Sequence, residues 1–405
     1  MKQQWCAPGL PVKDVVMAKS WKIYLTAGIA ALGVLIVVVV MVMRRAPVDP
    51  NGDVLAGDDK GHVFVVTRGA GNKVIRQFNA REGHKIRLAG FGITSAPALA
   101  KMMTQVGPDV EIALPGRQQL WISKASLADL PADAFQLELD RSGLVKTFAD
   151  EFDSFSWDSQ APPGDAEHGT WRTNFGYGAP SALESRSLVN NGELEVYADP
   201  GFRGTSDKPL GINPFRVANG VLEISAVLVP DDMQQLVWNR KYSSGLITTR
   251  HSFSQQYGVF EIRARLPKGR GLWPAFWLLQ PSGAWPPEID ILEVLGDNPT
   301  TLYTSWHSRE GGPHTTETIA TTVPDLSADF HTYSFEWDKD TIRWFFDGVE
   351  VDRRSTPGDM HRPMYLLANL AVGGGWPKDP DASTKFPAVY AIDWIRVYRR
   401  EQPQR

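Results

Sequence analysis

The sequence predicts an all-β protein whose larger part is a sandwich of two antiparallel sheets. Apolar and charged residues alternate along "YGVFEIRARLP" (257–267). A repeat of two residues is typical of a strand with one buried face and one face exposed to solvent. The buried positions are expected at Phe260, Ile262, Ala264 and Leu266. Asn219-Gly220 and Asp347-Gly348 each separate two such runs, as type I′ hairpin turns do. The runs do not alternate with long amphipathic helices, which disfavours a parallel α/β barrel.

The composition is that of a globular protein with many turns and many aromatic faces. Of 405 residues, 42% are apolar, which excludes a disordered chain. The 14 Trp, 18 Phe, 36 Gly and 29 Pro suit an all-β protein that binds a flat, hydroxyl-rich ligand such as sugar. The net charge of −4 provides no basic field, so nucleic acid is not expected as a partner. The single Cys6 excludes an internal disulfide, and no Cys/His spacing indicates a zinc site.

An uncharged apolar run near the amino terminus reaches the length of a membrane-spanning helix. It is "IYLTAGIAALGVLIVVVVMVM", Ile23–Met43. Four lysines lie before it in residues 1–22, whereas Arg44 and Arg45 follow it. The positive-inside rule favours a cytoplasmic tail (1–22) and a single-pass protein whose remaining residues lie on the periplasmic or extracellular side of the membrane. A cleaved signal peptide is the alternative, although its apolar region is normally shorter and is followed by small residues.

Residues 53–142, which follow a linker (44–52), predict a small, mainly β module with one helical stretch, "APALAKMMTQV" (96–106). Three segments of it resemble the terminal part of calcium-dependent β-roll modules of RTX, or haemolysin-type, secreted proteins. They are "GHVFVV", "VIRQFNAREGHKIRLAGFGI" and "LADLPADAFQL". The Gly and Asp repeats of that family are absent here. Where the pattern usually has Asp, the chain carries side chains that cannot ligate calcium, at His62, Arg76, His84 and Arg87. We therefore expect a degenerate, calcium-independent spacer or docking module.

Three carboxylates lie within six residues of one predicted strand, in the stretch "WPPEIDILEVLG". Since side chains alternate along a strand, Glu288 and Asp290 share one face while Glu293 should point to the other. One extra residue at Ile291 or Leu292 restores the phase, which predicts a β-bulge there. The carboxyl groups of the two glutamates are then about 5 Å apart, which is the separation of a retaining glycosidase.

Each acid has a chemical task in that arrangement. Glu288 attacks the anomeric carbon as a carboxylate, and Glu293 protonates the departing glycosidic oxygen. Asp290 raises the pKa of Glu293 through like-charge repulsion, and a proton shared with Glu288 orients the nucleophile. A solvated outer strand face is the alternative interpretation. Trp285 and the aromatic stretch "GRGLWPAFWLLQ" favour a groove with aromatic walls instead, because buried like charges without a function are costly.

The acid motif and several other sequence segments together resemble one enzyme family. The segments are "EIDILE", "TFADEFD", "NNGELEVYADP", "YGVFEIRARLPKGRGLWPAFWLL", "HTYSFEWDKDTIRWFFDGVEV", "NLAVGGGWPKDPD" and "AIDWIRVY". This ordered set is similar to glycoside hydrolase family 16, in its bulged, laminarinase-like branch. The resemblance implies a concanavalin-like jelly-roll β-sandwich over residues 147–400, with an open cleft on its concave sheet. It also implies retaining endo-hydrolysis of β-linked glucans or galactans, with Glu288 as the nucleophile, Asp290 as its helper and Glu293 as the acid/base.

The same resemblance implies further contacts. The residues expected to bind substrate are Trp273, Trp285, His307, Asn369 and Trp376. For His307, a purely structural role is the alternative to a hydrogen bond with the substrate. Trp277 is either another sugar platform or part of the core. No cofactor is expected for catalysis, whereas a structural calcium on the convex side would involve Glu151 and Asp393.

The predicted function is that of a membrane-anchored retaining endo-β-glycanase acting on β-1,3- or mixed β-1,3-1,4-linked glucan or a related bacterial exopolysaccharide. An anchored enzyme would meet the polymer as it is exported, so a role in setting chain length beside the export machinery is expected. A transglycosylase, which passes the glycosyl group to a sugar instead of water, is one alternative. A non-catalytic β-glucan-binding protein is the other, and the presence of all three acids disfavours it.

Overall fold

A computed structural model describes residues 52–57, 60–160 and 169–401. The predicted cytoplasmic tail, the apolar run Ile23–Met43 and the linker up to residue 51 lie outside these ranges, so the membrane span stays a prediction. Within the described ranges, no helix is both long enough and apolar enough to cross a membrane.

Where the structure describes it (52–57 and 60–142), the N-terminal module consists of short strands and one short helix. Its strands are β1 (Asp53–Ala56), β2 (Val63–Thr67), β3 (Lys73–Arg76), β4 (Lys85–Ala89), β5 (Met103–Val106), β6 (Asp109–Leu114), β7 (Gln118–Ile122) and β8 (Phe135–Gln136). Its helix is α1 (Ala96–Ala100), and its 3₁₀ turns are Ala80–Glu82, Leu127–Asp129 and Ala132–Ala134.

Strands β1 to β4 alternate between two sheets, and within each sheet they pair in parallel. One sheet has the order β1-β3-β7-β6-β5 and the other has the order β2-β4-β8. Apolar side chains from both sheets, among them Phe64, Ile75, Ile86 and Leu120, form one buried cluster between them. The chain thus coils between two layers before it reaches the larger domain.

Only the first half of the predicted helical stretch 96–106 is helical. The Ser95 side chain accepts a hydrogen bond from the Ala98 N–H and begins α1. The prediction of helix was wrong for the second half, where β5 pairs with β6 and Met103 lies opposite Ile112. Pairing with a neighbouring strand overrides the local helical preference here.

In the described residues 144–160 and 169–401, the larger domain has sixteen strands. They are β9 (Leu144–Asp150), β10 (Glu195–Tyr197), β11 (Phe215–Ala218), β12 (Val221–Leu228), β13 (Tyr242–Ser244), β14 (Leu246–Thr248), β15 (Gly258–Arg265), β16 (Leu272–Leu279), β17 (Glu288–Glu293), β18 (Thr301–Ser308), β19 (Thr315–Thr322), β20 (His331–Trp337), β21 (Thr341–Phe346), β22 (Val349–Ser355), β23 (Tyr365–Val372) and β24 (Ala388–Arg400). Its 3₁₀ segments are Leu183–Ser185, Val189–Asn191, Asp231–Val237 and Gly358–Met360.

These strands form two sheets that pack face to face. The ten-stranded sheet has the order β10-β13-β12-β24-β15-β20-β21-β22, with β11 beside β12 and β9 beside β24. The six-stranded sheet has the order β14-β23-β16-β17-β18-β19 and is antiparallel throughout. Phe260 and Ile262 of the first sheet and Phe276 and Leu278 of the second belong to one buried cluster. The predicted all-β sandwich is confirmed.

Both predicted hairpin turns have the backbone of a type I′ turn, with positive φ at both central residues. The φ angles are 54° at Asn219 and 72° at Gly220, between β11 and β12. They are 47° at Asp347 and 78° at Gly348, between β21 and β22. Asn, Asp and Gly tolerate this left-handed region better than other residues, which is why the dipeptides identify the turns.

The polar face of β15 differs from the prediction at one position. Glu261, one of the charged residues in the alternating pattern, was expected to be exposed to solvent but is fully buried. Arg141, which lies before β9, covers it with two hydrogen bonds of 3.0 and 2.7 Å, and the Ser334 hydroxyl adds a third. The alternating pattern cannot reveal a cover that comes from more than a hundred residues away.

The N-terminal module is joined to the sandwich by strand pairing. The segment after β8 lies antiparallel to the edge strand β22, where Glu138 bridges Val349. Hydrogen bonds of 2.8 Å from the Leu139 N–H to the Gly348 carbonyl and of 2.9 Å from the Glu350 N–H to the Leu137 carbonyl complete this contact. The module therefore covers an edge of the ten-stranded sheet that would otherwise expose unpaired backbone groups.

Candidate active site

The acid-bearing strand β17 contains the predicted bulge. Against β16, Leu292 pairs with Phe276 and Asp290 pairs with Trp277, so that Ile291 has no partner. The register against β18 shifts over the same residues. The bulge at Ile291 or Leu292 is thus confirmed, and it lies at Ile291.

The bulge sorts the side chains of β17 between the core and the cleft. Ile291 and Leu292 both belong to the buried core between the sheets. Glu288, Asp290 and Glu293 all line the cleft on the opposite face. Without the extra residue, alternation would have turned Glu293 into the core.

Aromatic N–H groups hold the strand and its acids in place. The Trp285 indole donates to Glu288 Oε2 at 2.7 Å, and the Trp273 indole donates to Glu293 Oε1 at 3.0 Å. The Trp344 indole, from the opposite sheet, donates to the backbone carbonyl of Asp290 at 2.9 Å. Each glutamate therefore keeps its second oxygen for other partners or for substrate.

Burial raises the pKa of all three carboxyl groups. The pKa of Glu288 rises to about 8, chiefly from burial and then from the charge of Asp290. Burial raises the pKa of Asp290 to about 7. Burial, followed by repulsion from Asp290 and Glu288, raises the pKa of Glu293 well above its ordinary value. The group therefore retains protons at neutral pH, as a general acid requires.

Two walls of the cleft are aromatic. On one side Trp376 meets Trp273 edge to face at 5.6 Å between ring centroids and Tyr303 at 4.9 Å. On the other side the Trp285 ring lies 4.7 Å from that of His314. Trp285 and Trp376 are 46% and 38% exposed, so that both offer faces to a ligand.

A hydrogen-bonded chain of buried side chains supports the floor of the cleft. Trp277 donates its indole N–H to Asn369 Oδ1 at 2.7 Å, and Asn369 Nδ2 contacts the Tyr197 hydroxyl at 2.9 Å. That hydroxyl donates to Glu193 Oε2 at 3.4 Å. Trp277 is only 7% exposed, so it serves mainly as a wall and an anchor for Asn369.

All five predicted substrate-binding residues line the same cleft as the acids, which has a volume of about 860 Å³. Sequence reasoning missed other residues that line it: Tyr177, Glu184, Asn190, Asn191, Glu193, Ser305, Thr316 and Thr318. Three of them, Asn190, Asn191 and Glu193, lie in the segment "NNGELEVY". This segment is part of the family resemblance, but the resemblance gave no role to its individual residues. Ser305 and the threonines carried no signal, because short hydroxyl side chains are common on any strand.

The two residues predicted to hold calcium have arginine partners. Glu151 accepts two hydrogen bonds from Arg396, at 2.9 and 2.7 Å. Asp393 pairs with Arg263. Guanidinium groups at this distance repel a dication, so the donors present do not fit a calcium ion.

Comparisons with known proteins identify the family. The description "Glycosyl hydrolases family 16" matches residues 218–396. The endo-1,3-1,4-beta-glycanase ExsH of Rhizobium meliloti (strain 1021) is 39% identical over 330 residues, which cover 81% of this chain and 67% of that protein. The endo-1,3-1,4-beta-glycanase EglC of the same organism is 37% identical over 83% of this chain and 68% of its own length. The chain belongs to glycosyl hydrolase family 16. The prediction of a glycoside hydrolase is thereby confirmed.

Solved structures of this family share the sandwich. The laminarinase catalytic domain of Thermotoga petrophila RKU-1 has a TM-score of 0.50 and 33% identity, and it covers 64% of this chain and 99% of its own. SCLam, a non-specific endo-beta-1,3(4)-glucanase, has a TM-score of 0.53 and 29% identity, over 66% of this chain and 95% of its own. The match to ExsH is longer than the sandwich, so the similarity to that glycosyl hydrolase also includes residues of the N-terminal module.

Proposed function

We propose that this family 16 enzyme is a retaining endo-β-glycanase that hydrolyses a β-1,3- or mixed β-1,3-1,4-linked glucan, or a bacterial exopolysaccharide with such links. The observation that carries the proposal is the bulge at Ile291, which gathers three acids on the floor of an open, aromatic-walled cleft. The names of the relatives support the linkage, since two are endo-1,3-1,4-beta-glycanases. An open cleft accommodates the interior of a chain, which suits endo cleavage.

The proposed reaction divides the work between two glutamates. Glu288 Oε1 attacks the anomeric carbon while the glycosidic C–O bond breaks, and Glu293 transfers its proton to the departing oxygen. Water then attacks the anomeric carbon of the glycosyl ester and passes a proton to Glu293, while the bond to Glu288 Oε1 breaks and releases the Glu288 carboxylate. The raised pKa of Glu293 supports its acid role, because the proton must be present before the bond breaks.

Asp290 and His307 are proposed to tune the nucleophile. His307 Nε2 lies 3.8 Å from Glu288 Oε1 and 3.3 Å from Asp290 Oδ2. A proton shared among these groups can leave Glu288 ionised while the group as a whole keeps its net charge low. The trio is best treated as one coupled unit.

Product stereochemistry and product size test this proposal together. The full chain is incubated with laminarin, mixed-linkage glucan, agarose and bacterial exopolysaccharides, and early products are followed by proton NMR. The expected products are internal fragments with a β-configured new reducing end. Products with the α configuration at first appearance would refute retention, and release of monosaccharides alone would refute endo cleavage.

Transglycosylation on the same polymer remains the second candidate, because it uses the same glycosyl ester. Added acceptor oligosaccharide separates the two reactions. Hydrolysis predicts reducing ends that increase at an unchanged rate, whereas transfer predicts longer products at the expense of reducing ends. A Glu288→Gln variant that still binds the polymer but releases no reducing sugar would exclude a purely binding protein.

We further propose that the enzyme is anchored in the inner membrane by Ile23–Met43 and trims a polymer as it is exported. The uncharged run of 21 residues supports the anchor. Deleting residues 1–43 should move the enzyme from the membrane fraction to the soluble fraction and lengthen the exported polymer. Unchanged fractionation would refute the anchor, and unchanged polymer length would refute the role in trimming.

The N-terminal module is proposed to be a degenerate, calcium-independent β-roll. The alternation of β1 to β4 between two parallel-paired sheets supports this resemblance. Its pairing with β22 supports a docking role rather than that of a loose spacer. Calorimetric titration of the full chain with calcium should give no heat of binding, and tight binding that Glu151→Gln leaves intact would refute calcium independence of the module.

A further inference from the structure

One imidazole and two carboxylates converge at the base of the cleft. His307 Nε2 is 3.3 Å from Asp290 Oδ2 and 3.8 Å from Glu288 Oε1. One ligand atom from each residue lies within 4.8 Å of the other two. Among the described residues, this is the one group of three or more His, Cys, Asp or Glu side chains with that spacing.

These distances suit a tetrahedral transition-metal ion. Zinc binds imidazole nitrogen and carboxylate oxygen at about 2.0–2.2 Å, so two ligand atoms on a tetrahedral centre are separated by roughly 3.3–3.6 Å. The separation of 3.3 Å from His307 Nε2 to Asp290 Oδ2 falls at this range, that of 3.8 Å to Glu288 Oε1 is slightly wider, and the two carboxylate oxygens lie within 4.8 Å of each other. The sequence spacing gave no hint, because Glu288 and His307 meet only through the pairing of β17 with β18.

The surrounding contacts leave the ligand atoms available. Asp290 Oδ2 is buried and has no hydrogen-bond partner among the described residues. The Trp285 indole occupies Glu288 Oε2, so Oε1 is the oxygen that faces His307. His307 Nδ1 contacts His314 Nε2 at 3.0 Å, which orients the ring with Nε2 towards the acids.

We propose that the cleft also binds one zinc ion, or a similar divalent transition ion, through Glu288 Oε1, Asp290 Oδ2 and His307 Nε2. The fourth position faces the open cleft and is filled by water. Imidazole favours zinc over magnesium and calcium, which prefer oxygen ligands alone. Since Glu288 is the proposed nucleophile, the ion blocks hydrolysis instead of assisting it.

Metal binding by the untagged full chain tests the site without reference to catalysis. Titration with zinc chloride at slightly alkaline pH, where the ligands lose their protons more readily, is expected to show one equivalent bound. Cobalt(II) in place of zinc should give the intense visible absorption of a tetrahedral complex. His307→Ala should weaken zinc binding at least tenfold and abolish that absorption, and Glu288→Gln should do the same.

A matched histidine controls for weak surface binding. His331 also pairs with a carboxylate, since its Nδ1 is 2.8 Å from Asp347 Oδ2, but in the described part of the chain it belongs to no group of three possible ligands, and it lies on β20, outside the cleft lining. His331→Ala should keep wild-type affinity. Equal affinity in wild type and His307→Ala, or displacement of zinc by equimolar magnesium, would overturn the site even if the enzyme hydrolyses glucan as proposed.

Discussion

Trp285 donates its indole N–H to Glu288 Oε2 at 2.7 Å, although the residue as a whole is 46% exposed. One side chain thus both offers a face for a sugar ring and holds the proposed nucleophile. The hydrogen bond also favours the ionised carboxylate and so lowers the pKa of Glu288, opposing the effect of burial.

Trp285→Phe should separate these two tasks. The ring face remains, but the N–H is lost, so the pKa of Glu288 rises and the acid limb of the kcat/KM profile moves to higher pH. A hydrogen bond to a charged group contributes about 1.5–3 kcal/mol, so its loss corresponds to a fall in kcat of roughly 13- to 160-fold. Trp376→Phe is the control, because it should change KM and leave the pH profile in place. A profile that does not move in Trp285→Phe would contradict the proposed role of this bond.

Asp290→Asn should shift the pH dependence of activity in the opposite direction. The charge of Asp290 raises the pKa values of both Glu288 and Glu293. Its removal lowers both, so Glu288 ionises at lower pH and Glu293 loses its proton at lower pH. Both limbs of the bell-shaped profile should therefore move towards acid, with a loss in kcat of about 10²–10⁴-fold if Asp290 also assists proton transfer. Limbs that stay in place would show that the acids do not interact.

Glu288→Gln should stabilise the protein, increasingly so as the pH rises. In the wild type, the folded-state pKa of about 8 exceeds the ordinary value of 4.5. The folded state therefore binds more protons than the unfolded state between these pH values, and wild-type stability falls as the pH rises through this window. Glutamine cannot ionise, so the difference in Tm between variant and wild type should grow from about pH 4.5 to about pH 8 and then level off. Differential scanning calorimetry across that range measures it.

Glu151→Gln provides the control of opposite sign. Hydrogen bonds from Arg396 lower the pKa of Glu151, so this carboxylate stabilises the fold above its unfolded pKa and ceases to do so as the pH falls through the folded value. Its removal should lower the Tm at neutral pH, by a small amount because the pair is partly exposed. If the Tm of both variants changed with pH in the same direction relative to wild type, burial of Glu288 would not be the cause of the stability change in Glu288→Gln.

The active-site strand could be predicted from the sequence because all three acids lie within six consecutive residues. Three acids out of phase by one residue require a bulge if they act together, and Ile291 supplies it. The supporting chain from Asn369 through Tyr197 to Glu193 was not predicted, since Asn369 on β23 and Tyr197 on β10 are far apart in sequence and meet only after folding. The burial of Glu261 was missed for the same reason, because its partner Arg141 arrives from outside the sandwich.

The last prediction concerns the junction between the N-terminal module and the sandwich. Gln136 Nε2 donates to the buried carbonyl of Val351 on β22 at 2.9 Å, and its Oε1 accepts from Arg87 at 2.9 Å. Gln136→Ala removes this hydrogen bond from a buried carbonyl, which costs about 1–3 kcal/mol. Each kcal/mol should lower the Tm of a domain of this size by about 2–4 °C. Thermal unfolding of the full chain measures this change.

Gln105→Ala is the matched control, because all three carbonyl groups that Gln105 Nε2 contacts lie within the module. If docking onto β22 stabilises the sandwich, Gln136→Ala should expose the sandwich to proteolysis, whereas Gln105→Ala should expose the module alone. Removal of residues 1–142 should expose the sandwich to proteolysis more than Gln136→Ala does, because it uncovers the whole edge of β22. It should also promote aggregation through that strand. A truncated sandwich as stable and as soluble as the full chain would show that the module is docked without stabilising it.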